Sequence, residues 1–262
     1  MSRTFAVTNQ KGGVGKTTTA VNLAAALATQ QRVLLIDLDP QANATTGCGL
    51  AKNSLQYHSY HLLLGLTTFE AVKQRTAFGF DMLPSNHALA GAEIELVTVA
   101  HRELRLKQAL HPEQRHYDYI IIDCPPALNL LTLNSLAAAH AVIIPMQCDY
   151  YALEGLSDLV NTLRRVRGLL NPKIQIEGLL RTMFDPRSTL AQQVSQQLLQ
   201  HFGEKVFQTV IPRNIRLAEA PSYGQPIFAY DRTAKGAYAY QQLANELLAK
   251  HVQHESAVVT YS

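Results

Sequence analysis

The stretch Lys11-Gly12-Gly13-Val14-Gly15-Lys16-Thr17-Thr18 decides the fold of this chain. A phosphate-binding loop ordinarily reads G-x-x-x-x-G-K-[ST], with backbone N–H groups around the phosphates and the lysine on the terminal ones. Counting back from Gly15, the first glycine of that pattern falls on position 10, which is Gln10. The glycines instead follow Lys11 directly, so the loop is a deviant form with a second lysine ahead of it.

The sequence on either side of this loop favours phosphate binding. A short apolar run over Thr4–Asn9 leads into it, and Thr17–Ala28 follows with alanine, leucine and valine at helical spacing. A strand, a glycine-rich loop and a helix in this order place N–H donors and positive charge at the helix N-terminus. We therefore expect Lys16 to neutralise the β- and γ-phosphates and Thr17 to coordinate Mg²⁺. The alternative is a glycine-rich turn with two solvated lysines.

Apolar runs alternate with helical stretches along the rest of the chain. The runs that are typical of strands are Thr4–Thr8, Arg32–Asp37, Phe80–Leu83, Tyr119–Asp123, Ala141–Met146, Ile174–Leu180 and Lys205–Val210, and clear helical stretches are Glu154–Leu170 and Thr189–Phe202. This alternation predicts an α/β fold with a mostly parallel, twisted sheet and helices on both of its faces. We expect a single domain over residues 1–250 and a short, disordered tail over residues 251–262.

Polar side chains follow three of the predicted strands. Ligands of parallel sheets bind at the carboxyl ends of the strands, and Asn9, Asp37 and Asp123 all fall at such ends. Asp123 closes the run Ile120-Ile121-Ile122-Asp123, the usual form of a Walker B strand, where a carboxylate holds Mg²⁺ directly or through water. The alternative role of Asp123 is to cap a turn.

Composition and charge narrow the class of protein. The three cysteines, Cys48, Cys124 and Cys148, lack C-x-x-C spacing, which predicts reduced thiols in a cytoplasmic protein and no metal site. No apolar run approaches the roughly 18 residues of a membrane span.

The first 160 residues carry 11 basic and 13 acidic side chains, whereas residues 161–250 carry 12 and 6. This basic half is typical of a surface for phosphate backbones, although an ordinary solvated face also fits.

The run from Asn9 to Thr18 resembles the deviant Walker motif of the ParA/MinD superfamily. The resemblance continues through Leu35–Gln41, Ala90–Glu93, Tyr117–Pro126 and Ile211–Asn214, and it covers most of residues 4–250. It is close to the chromosomal ParA branch, also called Soj. The resemblance implies a P-loop ATPase with ATP and Mg²⁺ as cofactors and weak intrinsic activity. It also implies a homodimer that forms with ATP, in which Lys11 reaches the partner's phosphates.

The resemblance also implies roles for individual side chains. The catalytic set is Lys11, Lys16 and Asp39, with Asp39 in switch I orienting the attacking water. The metal set is Thr17, Asp37 and Asp123, with Asp37 supporting the magnesium waters. The residues implied to bind the nucleotide are Lys11, Gly12, Gly13, Val14, Gly15, Lys16, Thr17, Thr18, Pro212 and Asn214.

The resemblance further implies that the basic half binds double-stranded DNA without sequence preference. The candidate phosphate contacts are Arg187, Arg213, Arg216, Arg232 and Lys235. Each arginine taken alone is more often solvated or paired with a nearby carboxylate. Arg213 and Arg216 equally suit the nucleotide pocket or a dimer interface.

The expected function is that of an ATPase for chromosome or plasmid partition, cytoplasmic and nucleoid-associated, released from DNA when a ParB-like partner stimulates hydrolysis. A MinD-like positioning ATPase shares the loop but needs a C-terminal amphipathic membrane anchor, and residues 251–262 lack that pattern. A relative of the nitrogenase iron protein needs cysteine ligands for a cluster, which the spacing here does not supply. A module that binds ATP without hydrolysing it is the remaining alternative.

Overall fold

The computed structural model describes the backbone of residues 2–259 and the side chains as far as residue 252. Over these residues the chain forms eight strands and twelve α-helices. The strands are β1 (Arg3–Val7), β2 (Val33–Asp37), β3 (Gln74–Arg75), β4 (Asp81–Leu83), β5 (Tyr119–Asp123), β6 (Ala141–Gln147), β7 (Gln175–Phe184) and β8 (Val206–Pro212). The helices are α1 (Lys16–Leu27), α2 (Asn43–Gly47), α3 (Ser59–Leu64), α4 (Phe69–Val72), α5 (Leu89–Glu95), α6 (Arg105–Leu110), α7 (Leu130–Ala138), α8 (Ala152–Leu169), α9 (Thr189–Phe202), α10 (Ile215–Glu219), α11 (Ile227–Tyr230) and α12 (Lys235–Val259).

All eight strands of the described chain belong to one sheet, in the order β3-β4-β2-β5-β1-β6-β7-β8. Every neighbouring pair is parallel except β3 and β4, which pair in antiparallel fashion. The predicted fold class, a mostly parallel sheet covered by helices, is therefore confirmed. The order places β2, β5 and β1 side by side and parallel, so the loops that follow these three strands lie together at the carboxyl ends of the strands.

Apolar side chains of the central strands point alternately to the two faces of the sheet, which explains why both faces carry helices. On β5, Ile120 and Ile122 point into one apolar layer while Ile121 points into the other, and all three are fully buried. The first layer is closed by the helices from α3 to α9, and the second mainly by α1 and α12. Because β5 is apolar on both faces, its carboxylate at Asp123 is forced into a dry environment at the end of the strand.

Three elements differ from the predicted pattern. β3 was not predicted, because two charged or polar residues at the sheet edge carry no periodic signal. β7 continues to Phe184, past the predicted end at Leu180. α12 runs to Val259, across the boundary expected at residue 250, and His251 is buried there with Nδ1 3.0 Å from the Tyr119 hydroxyl. The last residues of the expected tail, 260–262, lie outside the described part of the chain.

Among the described helices, none has both the length and the apolar character needed to cross a bilayer.

The pairing of β6 with β7 contains an irregularity that requires a glycine. Val142 pairs with Ile176 and Ile143 with Gly178, so β7 contains one extra residue at this point. A Cβ on Gly178 would lie 2.3 Å from the nearest ring carbon of Phe207, which is fully buried on β8. The ring thus occupies the space that any side chain at position 178 would need.

We predict that Gly178→Ala lowers the free energy of unfolding by about 1–3 kcal/mol, since the added methyl overpacks a ring that has no free space to move into. Urea denaturation measures the change. Gly168→Ala in α8 is the matched control, because a Cβ there meets nothing within 4 Å. That variant should be neutral or more stable by up to about 1 kcal/mol, from helix propensity. Equal effects of the two substitutions would contradict the packing argument.

Candidate active site

The loop between β1 and α1 is built for close approach of a ligand to the backbone. Gly13 and Gly15 have φ values of +73° and +87°, the left-handed region that side chains disfavour, and Gly15 caps the N-terminus of α1. Lys16 is buried, and its ammonium group donates a 2.9 Å hydrogen bond to the backbone oxygen of Lys11. Burial lowers the pKa of Lys16, while the nearby Asp123 carboxylate acts in the opposite direction.

A cleft of about 630 Å³ opens above this loop. Its polar end carries the loop glycines, Lys16, Thr17, Thr18 and Asp39, and its more apolar end carries Met183, Ile211, Pro212, Asn214, Leu217 and Tyr240. Such a pairing of an anion-binding end with an apolar slot suits a nucleoside triphosphate. Most residues predicted to bind the nucleotide therefore line one cleft.

Two of the predicted nucleotide-binding residues do not line the cleft. Val14 is buried behind the loop, and its backbone oxygen accepts a 2.8 Å hydrogen bond from the Thr182 hydroxyl. Lys11 turns towards Asp149 and forms an ion pair with that carboxylate. Asp149 was missed by the sequence analysis, although it lies just past the end of β6 and thus follows the rule that singled out Asn9, Asp37 and Asp123.

Two carboxylates face each other at the centre of the site. Asp37 at the end of β2 and Asp123 at the end of β5 are Cα partners in the parallel register, and both are fully buried. Burial raises the pKa of Asp123, and the charge of Asp37 raises it further. Burial also raises the pKa of Asp37, to about 6. The Thr17 hydroxyl opposes this effect at Asp123 only in part.

The two carboxylates differ in the hydrogen bonds that they accept. One Asp37 oxygen accepts hydrogen bonds from the backbone N–H and hydroxyl of Thr45 at 2.8 and 2.7 Å, and the other accepts from the Asp39 N–H at 3.1 Å. Neither oxygen of Asp123 accepts a hydrogen bond of good geometry from any described residue. Buried carboxylate oxygens without a donor, beside Thr17, fit a hard divalent cation such as Mg²⁺. Asp37 is placed to position the surrounding backbone.

Asp39 is held by a network that the sequence pattern did not reveal. Its side chain accepts a 2.9 Å hydrogen bond from the Gln41 N–H, and its backbone oxygen accepts one of 3.0 Å from the Ser85 hydroxyl. The Ser85 N–H in turn donates to the Thr45 hydroxyl at 2.8 Å, and that hydroxyl donates to Asp37. Ser85 and Thr45 were missed because hydroxyls in loops give no signal until the fold brings them together.

The five candidate DNA-contacting residues are all exposed and lie after β7, after β8 and at the start of α12. Arg187 forms a 2.8 Å ion pair with Asp185, which lowers the pKa of that carboxyl to about 2. Arg216 pairs with Glu219 at 2.9 Å. Arg213 lines the nucleotide cleft. Arg232 and Lys235 lie close to these in sequence and have no ion pair within the described residues.

The family model of an AAA domain matches residues 2–176 of the chain. The sporulation initiation inhibitor protein Soj of Bacillus subtilis is 52% identical, with 95% of this chain and 99% of Soj aligned. The chromosome partitioning protein ParA of Caulobacter vibrioides is 47% identical over 95% of this chain and 94% of its own length.

Among solved structures, the chain is similar to a cobyrinic acid a,c-diamide synthase from Mycobacterium smegmatis with a bound ATP analogue and magnesium. The TM-score is 0.83 and the identity 39%, and 95% of each chain is covered. A nucleotide and a magnesium ion are therefore found in a chain of closely similar fold.

We predict that Asp123→Asn stabilises the nucleotide-free protein at pH 8, because burial and the charge of Asp37 raise the pKa of the Asp123 carboxyl and so destabilise its ionised form. A carboxyl whose folded pKa is raised contributes stability at low pH, and this contribution is lost as the pH rises through the raised value. The advantage of the variant should therefore shrink between pH 8 and pH 5 in urea denaturation.

The same variant should lose the extra stability that ATP and Mg²⁺ give the wild type. Asp158→Asn is the control, because Asp158 is exposed on α8. An Asp123 variant that is less stable than the wild type at pH 8 would show that the carboxylate is not destabilised by burial.

Proposed function

The chain belongs to the ParA/MinD superfamily, in the branch of the chromosomal ParA and Soj proteins, and we propose that it converts ATP binding and hydrolysis into cycles of DNA attachment and release. It is an ATPase of chromosome or plasmid partition, and its cofactors are ATP and Mg²⁺. The observation that carries the proposal is the deviant loop, whose glycines and Lys16 line the cleft, together with Asp123, a fully buried aspartate close to Lys16 and Thr17 whose oxygens accept no hydrogen bond of good geometry from the described residues.

In the proposed reaction, the loop amides and Lys16 bind the β- and γ-phosphates, and Asp39 orients the attacking water. Thr17 and Asp123 would hold Mg²⁺, which would neutralise charge on the phosphate oxygens. Because phosphoryl transfer depends on positioning and electrostatic stabilisation, a carboxylate that only orients water gives a slow reaction. A slow reaction suits a timer, and a ParB-like partner that stimulates it would set the time of release.

The proposed DNA-bound state is a homodimer. ATP lets two protomers pack face to face, with Lys11 of each reaching the phosphates of the other, and the two basic surfaces then act together. Joining two weak sites raises the combined affinity without any new contact. The proposed ligand is double-stranded DNA without sequence preference, which places the protein on the nucleoid in the cytoplasm.

The likeness to the diamide synthase defines a second candidate function. Amide synthesis that proceeds through a cysteine thiol would need a reactive thiolate. Burial raises the pKa of Cys124 to about 12 and of Cys148 to about 11, and it also raises the pKa of Cys48. Raised thiol pKa values disfavour nucleophilic roles. The described residues therefore favour the partitioning function.

A MinD-like membrane function remains the alternative within the superfamily. Residues 251–259 continue α12 and contain neither lysine nor arginine, whereas interfacial helices are usually rich in both. Co-sedimentation with anionic vesicles in the presence of ATP would distinguish the two functions. We expect the protein to stay in the supernatant.

We predict that Asp39→Ala still dimerises with ATP and Mg²⁺ but hydrolyses ATP at least about tenfold more slowly, because the attacking water loses its orienting group. Sedimentation velocity measures the dimer, and phosphate release with and without the cognate ParB-like protein measures turnover. Normal turnover would refute the role of Asp39. Turnover of the wild type that no DNA-bound partner stimulates would count against the partitioning cycle.

We predict that Arg187→Ala and Arg216→Ala weaken DNA binding of the ATP-bound dimer. The slope of log affinity against log salt should also become shallower by about one for each phosphate that the variant no longer neutralises. Arg32→Ala is the matched control, since Arg32 is an exposed arginine paired with Asp118 at 2.8 Å. It lies at the amino ends of the strands, whereas Arg187 and Arg216 follow the carboxyl ends of β7 and β8. ATP binding should be unchanged in all three variants. Equal effects of Arg32→Ala and Arg187→Ala would remove the basic surface from the proposal.

A further inference from the structure

We propose that Thr182 is a positioning residue of the phosphate-binding loop: its hydroxyl holds the Val14 oxygen away from α1 and so leaves the Thr18 N–H available to a phosphate. The inference rests on the proposed function, because it takes the triphosphate of ATP to be the ligand of the cleft. It concerns the phosphate chain and not the base.

The first turn of α1 lacks a hydrogen bond that the chain could form. In an α-helix each N–H donates to the oxygen four residues earlier, so the regular partner of the Thr18 N–H is the Val14 oxygen. In the described structure the first such bond instead runs from the Thr19 N–H to the Gly15 oxygen, at 2.9 Å. The Val14 oxygen accepts the 2.8 Å hydrogen bond from the Thr182 hydroxyl. The hydroxyl therefore takes the place of a backbone donor.

The backbone at Gly15 explains how the Val14 oxygen reaches Thr182. Gly15 has φ +87° and ψ +28°, the left-handed region, so the peptide that precedes it leaves the helical direction. The carbonyl and the N–H of a trans peptide point in opposite directions. Fixing the Val14 oxygen on Thr182 therefore also fixes the direction of the Gly15 N–H.

Thr182 itself is held firmly. Its side chain is buried, and on β7 it pairs with Gln147 of β6 in the parallel register. The next residue, Met183, has φ +48°, a left-handed conformation that a side chain disfavours. Such a conformation persists only where the surrounding structure determines it. The end of β7 is thus a rigid support against which the loop can be positioned.

The position of the hydroxyl matters because backbone donors at this helix end are few. Thr18 and Thr182 both line the cleft, and the N–H groups at a helix N-terminus are the donors that bind phosphate. Val14 is buried, so without the hydroxyl its oxygen would lack a donor unless it turned to the Thr18 N–H. That rearrangement would extend α1 by one hydrogen bond and remove one donor from the phosphates. One net hydrogen bond corresponds to about fivefold in an equilibrium constant.

The test compares Thr182→Val, which removes the hydroxyl, with Thr182→Ser, which keeps it. Thr4→Val is the matched control, because Thr4 is a fully buried threonine of β1 whose hydroxyl has no hydrogen-bond partner among the described residues. The first readout is the Kd for ATP and for inorganic tripolyphosphate, each with Mg²⁺, measured by competition with a fluorescent ATP analogue. The second is the amide hydrogen exchange of Thr18 in the nucleotide-free protein, measured by NMR.

Thr182→Val should raise both Kd values by about fivefold and slow the exchange of the Thr18 amide, because this N–H then donates to Val14. Thr182→Ser and Thr4→Val should match the wild type in both readouts. If Thr182→Val does not fold, Thr182→Ala replaces it, since the alanine and serine variants differ only in the hydroxyl.

A loss of affinity confined to ATP would place Thr182 at the base and overturn the inference. An equal loss in Thr182→Ser would also overturn it, because it would assign the effect to packing. Unchanged exchange of the Thr18 amide would do the same. If the wild type binds neither ATP nor tripolyphosphate, the proposed function fails as well. Wild-type binding that none of the Thr182 variants alters would refute the role of Thr182 alone.

Discussion

The constraint that organises this molecule is the placement of two carboxylates opposite each other at the ends of adjacent buried strands. The parallel register of β2 and β5 makes Asp37 and Asp123 direct neighbours, and apolar residues on both faces of the sheet exclude water from them. Such a pair is unfavourable unless its oxygens find donors or a cation. Thr45 and the Asp39 N–H donate hydrogen bonds to Asp37, whereas the oxygens of Asp123 accept none of good geometry from the described residues and are the proposed ligands of Mg²⁺. The surrounding loops thus supply the hydrogen-bond donors and the lysine that a buried pair of carboxylates requires.

The candidate site residues could be proposed from the sequence to the extent that short, contiguous patterns encode them. The glycine-rich loop and the strand that ends at Asp123 are short, contiguous patterns, and β5 matches its predicted bounds. The hydroxyls of Thr45 and Ser85 act only because β2 and β4 pair side by side, which no local pattern describes. The same holds for Asp149. The sequence predicts that Lys11 contacts phosphate, and only the tertiary structure shows that Asp149 lies within its reach.

The charged surface shows why counts of basic residues predict little by themselves. The excess of lysine and arginine after residue 160 suggested a basic surface, yet Arg187 and Arg216 are both paired with neighbouring carboxylates. Their charge is partly neutralised before any ligand arrives. In the proposed DNA complex, phosphates would compete with Asp185 and Glu219, so we expect one protomer to bind DNA weakly and the two surfaces of a dimer to act together.

The helix α12 contacts two distant parts of the molecule, the nucleotide cleft and the amino-terminal side of the sheet. Near its start, the Tyr240 side chain lines the nucleotide cleft and its hydroxyl lies 3.1 Å from that of Thr19 on α1. Three turns later, His251 is buried against Phe5 in the middle of β1 and Tyr119 at the amino end of β5. The 25 residues of α12 form a rod about 37 Å long that contacts both places. Shortening this helix as far as His251 would remove the packing of His251 on Phe5 and Tyr119, in the same helix that lines the nucleotide cleft at Tyr240.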